Sequence, residues 1–354
     1  MKKSIKIPLI TLAIILGLLL IGILVVVKPI SVAIYEDNFA LRFSSYEPYT
    51  WKISDFENLF QEKHIFQSNK GQNLVGYKYY GQNPETKGIV VLAHGFGTGG
   101  HRSYLNYINY FVKNGYEVFS YDATGNDESE GEVVGGLPQG IIDLDYALRY
   151  VKSNPEFKNL PIFLWGHSWG GYSVGSVVKL HPDVKAACVV AGFNSSIDML
   201  NFEGRKIAGN AVDFLLPILE KHEKELFGEY ASMSILESTE VAAIPTMFIH
   251  STDDDTIPIQ QSYDRFYEKF SSNKNNVFIC YETRGHSYIC CSDESKNYRD
   301  YYSKQLVEYS KEFEEVTEKM WEVYNFENFD KHQAFQVDEE LMSEILEFYN
   351  SFNF

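Results

Sequence analysis

The chain of 354 residues is 45% hydrophobic and 22% charged, ordinary globular proportions that exclude a wholly disordered or fibrous protein. Its 48 acidic and 31 basic side chains give a net charge of −17; the only charges before residue 29 are Lys2, Lys3, Lys6 and Lys28, so the remainder sets 27 basic against 48 acidic groups and argues against a nucleic-acid partner. Four cysteines are too few for a disulfide scaffold, and no metal-binding or phosphate-loop motif points to a metal or a cofactor.

Residues 8–27, PLITLAIILGLLLIGILVVV, carry no charge, and a helix of that length rises about 30 Å, the thickness of a bilayer's hydrocarbon core. The run predicts a single transmembrane anchor, with release by signal cleavage near Ser31-Val32-Ala33 as the alternative. Lys2, Lys3 and Lys6 precede the run, whereas only Lys28 and Arg42 come closely after it, which places the amino end in the cytoplasm and the rest outside it. Residues 1–28 are thus read as stub and anchor. Residues 29–61 show no sustained period and read as a juxtamembrane connector packed loosely on the domain that begins at residue 62.

Beyond residue 61, short apolar runs alternate with helical patterns: 88–93 then 104–112, 117–121 then 137–151, and 161–165 then 172–180. Further apolar runs occur at 184–191, 245–250 and 276–281. Strand alternating with helix predicts an α/β fold, a mostly parallel sheet flanked by helices, over residues 62–291. The stretch between Ala191 and Pro245 is too long for an ordinary crossover. Residues 292–354 hold 16 acidic and 6 basic side chains yet keep helical periodicity. Leu306, Phe313, Val316, Met320 and Val323 suggest one amphipathic helix and Leu341, Ile345, Phe348 and Phe352 a second, both covering the sheet.

Ser168 stands in Gly166-His167-Ser168-Trp169-Gly170-Gly171, after the apolar run PIFLW and before the helical pattern YSVGSVVKL. Glycines two before and two after let a strand turn sharply into a helix and expose the serine hydroxyl, the arrangement of a nucleophile elbow. A serine needs a base to take its proton and an acid to orient that base. His286, in a Gly-flanked loop after the last strand-like run, is the candidate base, with His101 as its rival. The candidate acids are Asp253, Asp254 and Asp255 after PTMFIH, with Asp198 as an outside alternative. Side chains alternate in direction along extended chain, so Asp254 opposes its two neighbours. The backbone N–H groups of Phe96, in His94-Gly95-Phe96-Gly97, and of Trp169 are candidates for an oxyanion hole.

The elbow, the chain order Ser, Asp, His and the loop Tyr121-Asp122-Ala123-Thr124-Gly125-Asn126-Asp127-Glu128-Ser129-Glu130-Gly131 resemble the α/β-hydrolase superfamily, in its monoacylglycerol-lipase-like and serine-aminopeptidase-like branch, over about residues 62–290. Asp127 departs from that pattern, standing where the branch has a second glycine. The resemblance selects Asp254 as the acid, since it precedes Pro258 by the family's spacing, and implies that residues 194–243 form a cap over the site. A serine hydrolase that cleaves a carboxylic ester is the leading expectation, with a small-molecule or lipid-like ester as substrate. The apolar cap residues Met199, Leu200, Phe202, Phe214, Leu215 and Leu219 favour it. A serine aminopeptidase, which would need a buried carboxylate from among Glu203, Glu220, Glu223 and Glu225 to hold the substrate amine, is the alternative, and a non-catalytic binding protein with the same fold is another. Cys280 lies before His286 and Cys290 and Cys291 after it, so a bridge from Cys280 to either would close the loop that carries the base.

Overall fold

The computed structural model describes residues 22–83, 85–157 and 159–353. Eight strands form one sheet: β1 (Phe60–Gln67), β2 (Asn73–Tyr80), β3 (Ile89–Ala93), β4 (Glu117–Tyr121), β5 (Ile162–His167), β6 (Ala186–Val190), β7 (Thr246–Ser251) and β8 (Val277–Tyr281). Their spatial order is β1-β2-β4-β3-β5-β6-β7-β8. β1 pairs antiparallel with β2, and β2 with β4; every other pairing is parallel. The parallel strands β3, β5 and β6 are almost wholly buried, which is why they read as continuous apolar runs rather than alternating ones.

The helices are α1 (Lys28–Phe39), α2 (Leu105–Lys113), α3 (Gln139–Ser153), α4 (Trp169–Val177), α5 (Ser196–Ala208), α6 (Val212–Phe227), α7 (Ile235–Ala242), α8 (Tyr263–Phe270), α9 (Asp293–Ser310), α10 (Glu318–Asn328), α11 (Lys331–Ala334) and α12 (Glu339–Asn350). One face of the sheet buries Ile141 and Leu144 of α3, Val174 of α4 and Phe266 of α8. The other buries Leu105, Ile108 and Phe111 of α2 together with Leu341, Ile345 and Tyr349 of α12. Tyr349 donates its hydroxyl to Leu164 O across 2.7 Å and stacks on Phe163, so α12 is part of the core. α5 to α7, the helices of the expected cap, lie between β6 and β7.

Two expectations require correction. Residues 29–61 are not a loose connector. A π-helical turn, Ile23–Val27, runs into α1, which packs on α6 of the cap and buries Tyr35 and Phe39. The next segment pairs with the loop after β4: Phe43 N–H donates to Gly125 O and Asp127 N–H to Phe43 O, at 3.0 and 2.9 Å. Arg42 donates to the carbonyls of Asp127, Ser129 and Gly131. Irregular chain whose backbone pairs with a distant loop carries no periodic signal, so local reading sees only a linker.

The stripe from Leu306 to Val323 is likewise not one helix. α9 ends at Ser310 and α10 starts afresh, with Thr317 accepting the Met320 N–H at its N-terminus. Glu312 and Glu315, three apart between the two helices, would repel each other on a continuous helical face. Of the expected anchor, residues 8–21 lie outside the described residues, and among those described no helix is long and apolar enough to cross a membrane.

Candidate active site

β5 delivers the chain to Ser168, whose backbone (φ 58°, ψ −118°) is the strained conformation of a tight strand-to-helix turn. The glycines are there for space. A Cβ on Gly166 would sit 2.3 Å from Gly170 O, and one on Gly170 would sit 2.0 Å from Ala93 O. Ser168 N–H bonds to Val190 O at 2.9 Å, which ties the elbow to β6. Trp169 opens α4, so its N–H is one of the first-turn donors without an intrahelical acceptor. Phe96 follows the end of β3, and its ring packs edge-on against that of Trp169 with centroids 5.5 Å apart.

His286 lies in the loop after β8. Its Nε2 is 2.8 Å from Ser168 Oγ, and its Nδ1 is 2.8 Å from Asp254 Oδ2. Asp254 follows β7, is 5% exposed, and accepts the Thr256 and Ile257 N–H groups through Oδ1 at 3.0 and 2.8 Å. Burial alone would raise its pKa, but hydrogen bonds from His250 and His286 and the backbone donors override it and hold the carboxyl well below the ordinary range. It therefore stands ready as an anion beside the imidazole. Asp253 and Asp255 are exposed. Asp253 nevertheless accepts the Gly285 N–H at 2.8 Å and so braces the loop that carries His286.

The rival residues lie elsewhere. His101 is buried and its Nδ1 is 2.6 Å from Asp122 Oδ1, which pairs it with the floor of the β4 loop instead of with Ser168. Asp198 faces Arg265 at 3.0 Å and takes no part in orienting His286. The departure at Asp127 has a structural use. It keeps the positive φ of a glycine position (32°), and its carboxylate receives both the N–H and the hydroxyl of Ser45, fastening the segment before β1 to the β4 loop. The four cysteines are free thiols, Cys280 exposed and Cys188, Cys290 and Cys291 buried, so the bridge across the His286 loop is absent.

Other residues support the site without a sequence signal of their own. His167 links two walls: its Nε2 lies 2.9 Å from His286 O and its Nδ1 3.1 Å from Tyr104 Oη, which in turn accepts the Gly95 N–H at 2.9 Å. Burial, with His286 nearby, pushes the His167 pKa down to about 3, so it works as a neutral imidazole that donates to the His286 carbonyl. Arg284 donates to Cys291 O and to Asp338 Oδ2, the latter at 2.8 Å. Asp338 also caps α12, so the carboxyl-terminal helices hold the loop that carries His286.

Two cavities flank this centre. One of about 270 Å³ lies beside His167 and Gly97 and is walled by Tyr46, Tyr49, Tyr104 and Phe335. The other, of about 410 Å³ and almost wholly apolar, runs from Phe96 between α1 and the cap.

A family model described as serine aminopeptidase, S33, matches residues 84–222, which takes in the elbow and most of the cap but stops short of Asp254 and His286. The esterase Pf2001 of Pyrococcus furiosus shares the fold, with a TM-score of 0.52 at 18% identity over 74% of this chain and 94% of its own. The family match, the sequence relatives and the shared fold together support the α/β-hydrolase superfamily. Within it, the monoglyceride lipase of Saccharomyces cerevisiae is 26% identical over 144 residues, 39% of this chain and 44% of the yeast protein. The caffeoylshikimate esterase of Arabidopsis thaliana is 28% identical over 111 residues, 31% of this chain and 33% of the plant protein. The chain thus spans less than half the length of either of these curated relatives.

Proposed function

We propose that the chain is a serine hydrolase that cleaves a carboxylic ester through an acyl-enzyme. The observation that carries this reading is the hydrogen-bonded run from Ser168 through His286 to Asp254, with both links at 2.8 Å, built on a strained elbow. Asp254 holds the imidazole with Nδ1–H toward its carboxylate, which leaves Nε2 to take the Ser168 proton as Oγ attacks the ester carbonyl. The resulting oxyanion faces the Phe96 and Trp169 N–H groups, each worth about 3–4 kcal/mol in such a site. His286 then returns the proton to the leaving alcohol, water repeats the sequence on the acyl-enzyme, and Ser168 is regenerated. The apolar cavity at Phe96 suits an aliphatic acyl group, and the names of the yeast and plant relatives favour an ester.

The description of the matching family model favours a peptidase as the second reading. It requires a buried carboxylate free to hold the substrate amine. Glu203, Glu220 and Glu225 are exposed. Glu223 is buried, but its Oε1 already accepts the Tyr35 and Ser196 hydroxyls at 2.8 and 2.6 Å. We assign residues 8–27 as a membrane anchor with the hydrolase domain on the extracytoplasmic side, on the length of the uncharged run and the basic residues before it. Protease added to intact cells should then remove the domain, and its survival until the membrane is opened would reverse the orientation. For the chemistry, a fluorophosphonate probe should label the chain at Ser168, and a series of nitrophenyl esters should turn over where aminoacyl amides do not. Amide turnover above ester turnover would favour the peptidase.

A further inference from the structure

The apolar cavity has an unusual wall. On one side stand the cap residues Leu200, Ile207 and Leu215; on the other stand Ile34 and Phe39 of α1, the helix that directly continues the uncharged run 8–27. Phe96 lines it as well, and its ring meets Phe39 at 6.1 Å and Trp169 at 5.5 Å, so a single ring stands between the cavity and the elbow. The polar groups of the α1 wall already have partners: Ser31 Oγ donates to Val27 O and Asn38 Nδ2 to Ile34 O, at 2.8 and 2.7 Å, and the Tyr35 hydroxyl donates to Glu223 Oε1 of the cap at 2.8 Å. The α1 wall therefore offers an alkyl chain contact and little else.

The outer rim is also apolar and exposed. Ile207 of the cap and Ile34 of α1, both of which line the cavity, are 86% and 57% exposed, and Ile30, one turn before Ile34, is 54% exposed. Val26, also exposed, precedes them at a helical spacing of four, so Val26, Ile30 and Ile34 form one stripe along the helix. Lys28 is the only charge between residues 7 and 35. The stripe is thus continuous in sequence with the run assigned as the anchor. Single exposed apolar residues need no explanation, but a rim of them around the mouth of an apolar cavity, beside such a run, does.

We propose that this mouth rests in the outer leaflet of the membrane that anchors the chain, and that the acyl chain of a bilayer-resident long-chain ester enters sideways between α1 and the cap. α1 then serves both as the end of the anchor and as half of the acyl site. The inference rests on the ester-hydrolase and anchor assignments above and adds the route and class of substrate. A soluble substrate needs no such rim. An ester dissolved in the leaflet reaches Phe96 without exposing its chain to water.

The test uses the full chain reconstituted in phosphatidylcholine vesicles, with a fluorogenic palmitoyl ester in the bilayer and nitrophenyl acetate in the buffer. Ile207→Glu combined with Ile30→Glu should lower the ratio of palmitoyl to acetyl turnover at least tenfold, whereas Ile65→Glu, at an exposed apolar position on the edge strand β1, should leave the ratio within twofold. Leu215→Trp, which narrows the cavity, should shift the preference toward shorter acyl chains. Independently, Ile207→Trp should add fluorescence that brominated phosphatidylcholine quenches. An unchanged ratio in the double variant, or fluorescence of the Ile207→Trp variant that brominated lipid does not quench, overturns the proposal. If nitrophenyl acetate is not hydrolysed and Ser168 is not labelled, the hydrolase reading has failed instead.

Discussion

Glu223→Gln probes the contact that locks α1 to the cap. The carboxyl is 1% exposed, and the Tyr35 and Ser196 hydroxyls both donate to its Oε1. Burial outweighs those two bonds and raises its pKa from the ordinary 4.5 to about 7. The folded chain therefore keeps this proton over a pH range in which the unfolded chain has lost it. Where the unfolded state binds fewer protons, stability falls as pH rises, so the fold loses stability from pH 4.5 upward until the folded group itself ionises near pH 7. Between pH 5 and 8 the linkage amounts to about 2.5 kcal/mol. Glutamine keeps an acceptor for both hydroxyls and never ionises, though its buried amide must find a partner at a cost of about 1 kcal/mol. The variant should therefore be slightly less stable than the parent at pH 5 and about 1–2 kcal/mol more stable at pH 8. Urea unfolding of both proteins in detergent, followed by tryptophan fluorescence at one-unit pH steps, reads this as a midpoint difference that changes sign at constant slope. Midpoints that run parallel across the range would show that Glu223 is ionised in the fold and that the reasoning is wrong.

Asp254→Asn should lower ester turnover by up to about 10⁴-fold with the fold intact, whereas Asp253→Asn and Asp255→Asn should each stay within about tenfold, as steady-state kinetics on purified variants would show. His167, ordinarily near 6.5 and held at about 3, must stay neutral in the fold, so acidification from pH 6.5 toward 3 should destabilise the parent by up to about 1.4 kcal/mol per pH unit. His167→Gln should flatten that limb in thermal melts, and an unchanged acid limb would contradict the neutral assignment. Arg284→Ala, which frees the His286 loop from Asp338, should lower kcat more than it changes KM for a short ester, and Asp338→Asn should reproduce part of the loss. A thiol reagent should modify Cys280 alone in the native chain and all four cysteines after unfolding; two or more fast native thiols would contradict the burial of the other residues.

Features that depend on neighbouring residues are legible along the chain. The parallel strands can be read because a strand buried on both faces must be apolar throughout, and the elbow because only glycine fits at Gly166 and Gly170, where a Cβ would strike backbone. The Gly-flanked serine, the Asp run after β7 and the Gly-flanked histidine after β8 mark the three residues that the fold brings within hydrogen-bond reach of one another. The antiparallel pair β1 and β2 was not marked, since Phe60–Gln67 is mostly exposed and polar and its pairing is set by β2 instead of by its own pattern. The supports of the site emerge only on folding. Arg42 meets the β4 loop, Tyr35 meets Glu223, Arg284 meets Asp338 and His167 meets the His286 carbonyl, pairs separated by 54 to 188 residues. Such contacts join single polar side chains to distant partners, and a lone arginine or tyrosine carries no period or spacing by which its partner could be read. The path of the folded chain also makes α1, which in sequence only trails the uncharged run, a wall of the cavity at Phe96: its direction after Lys28 is set by packing on α6, through Tyr35, whose partner Glu223 lies 188 residues away.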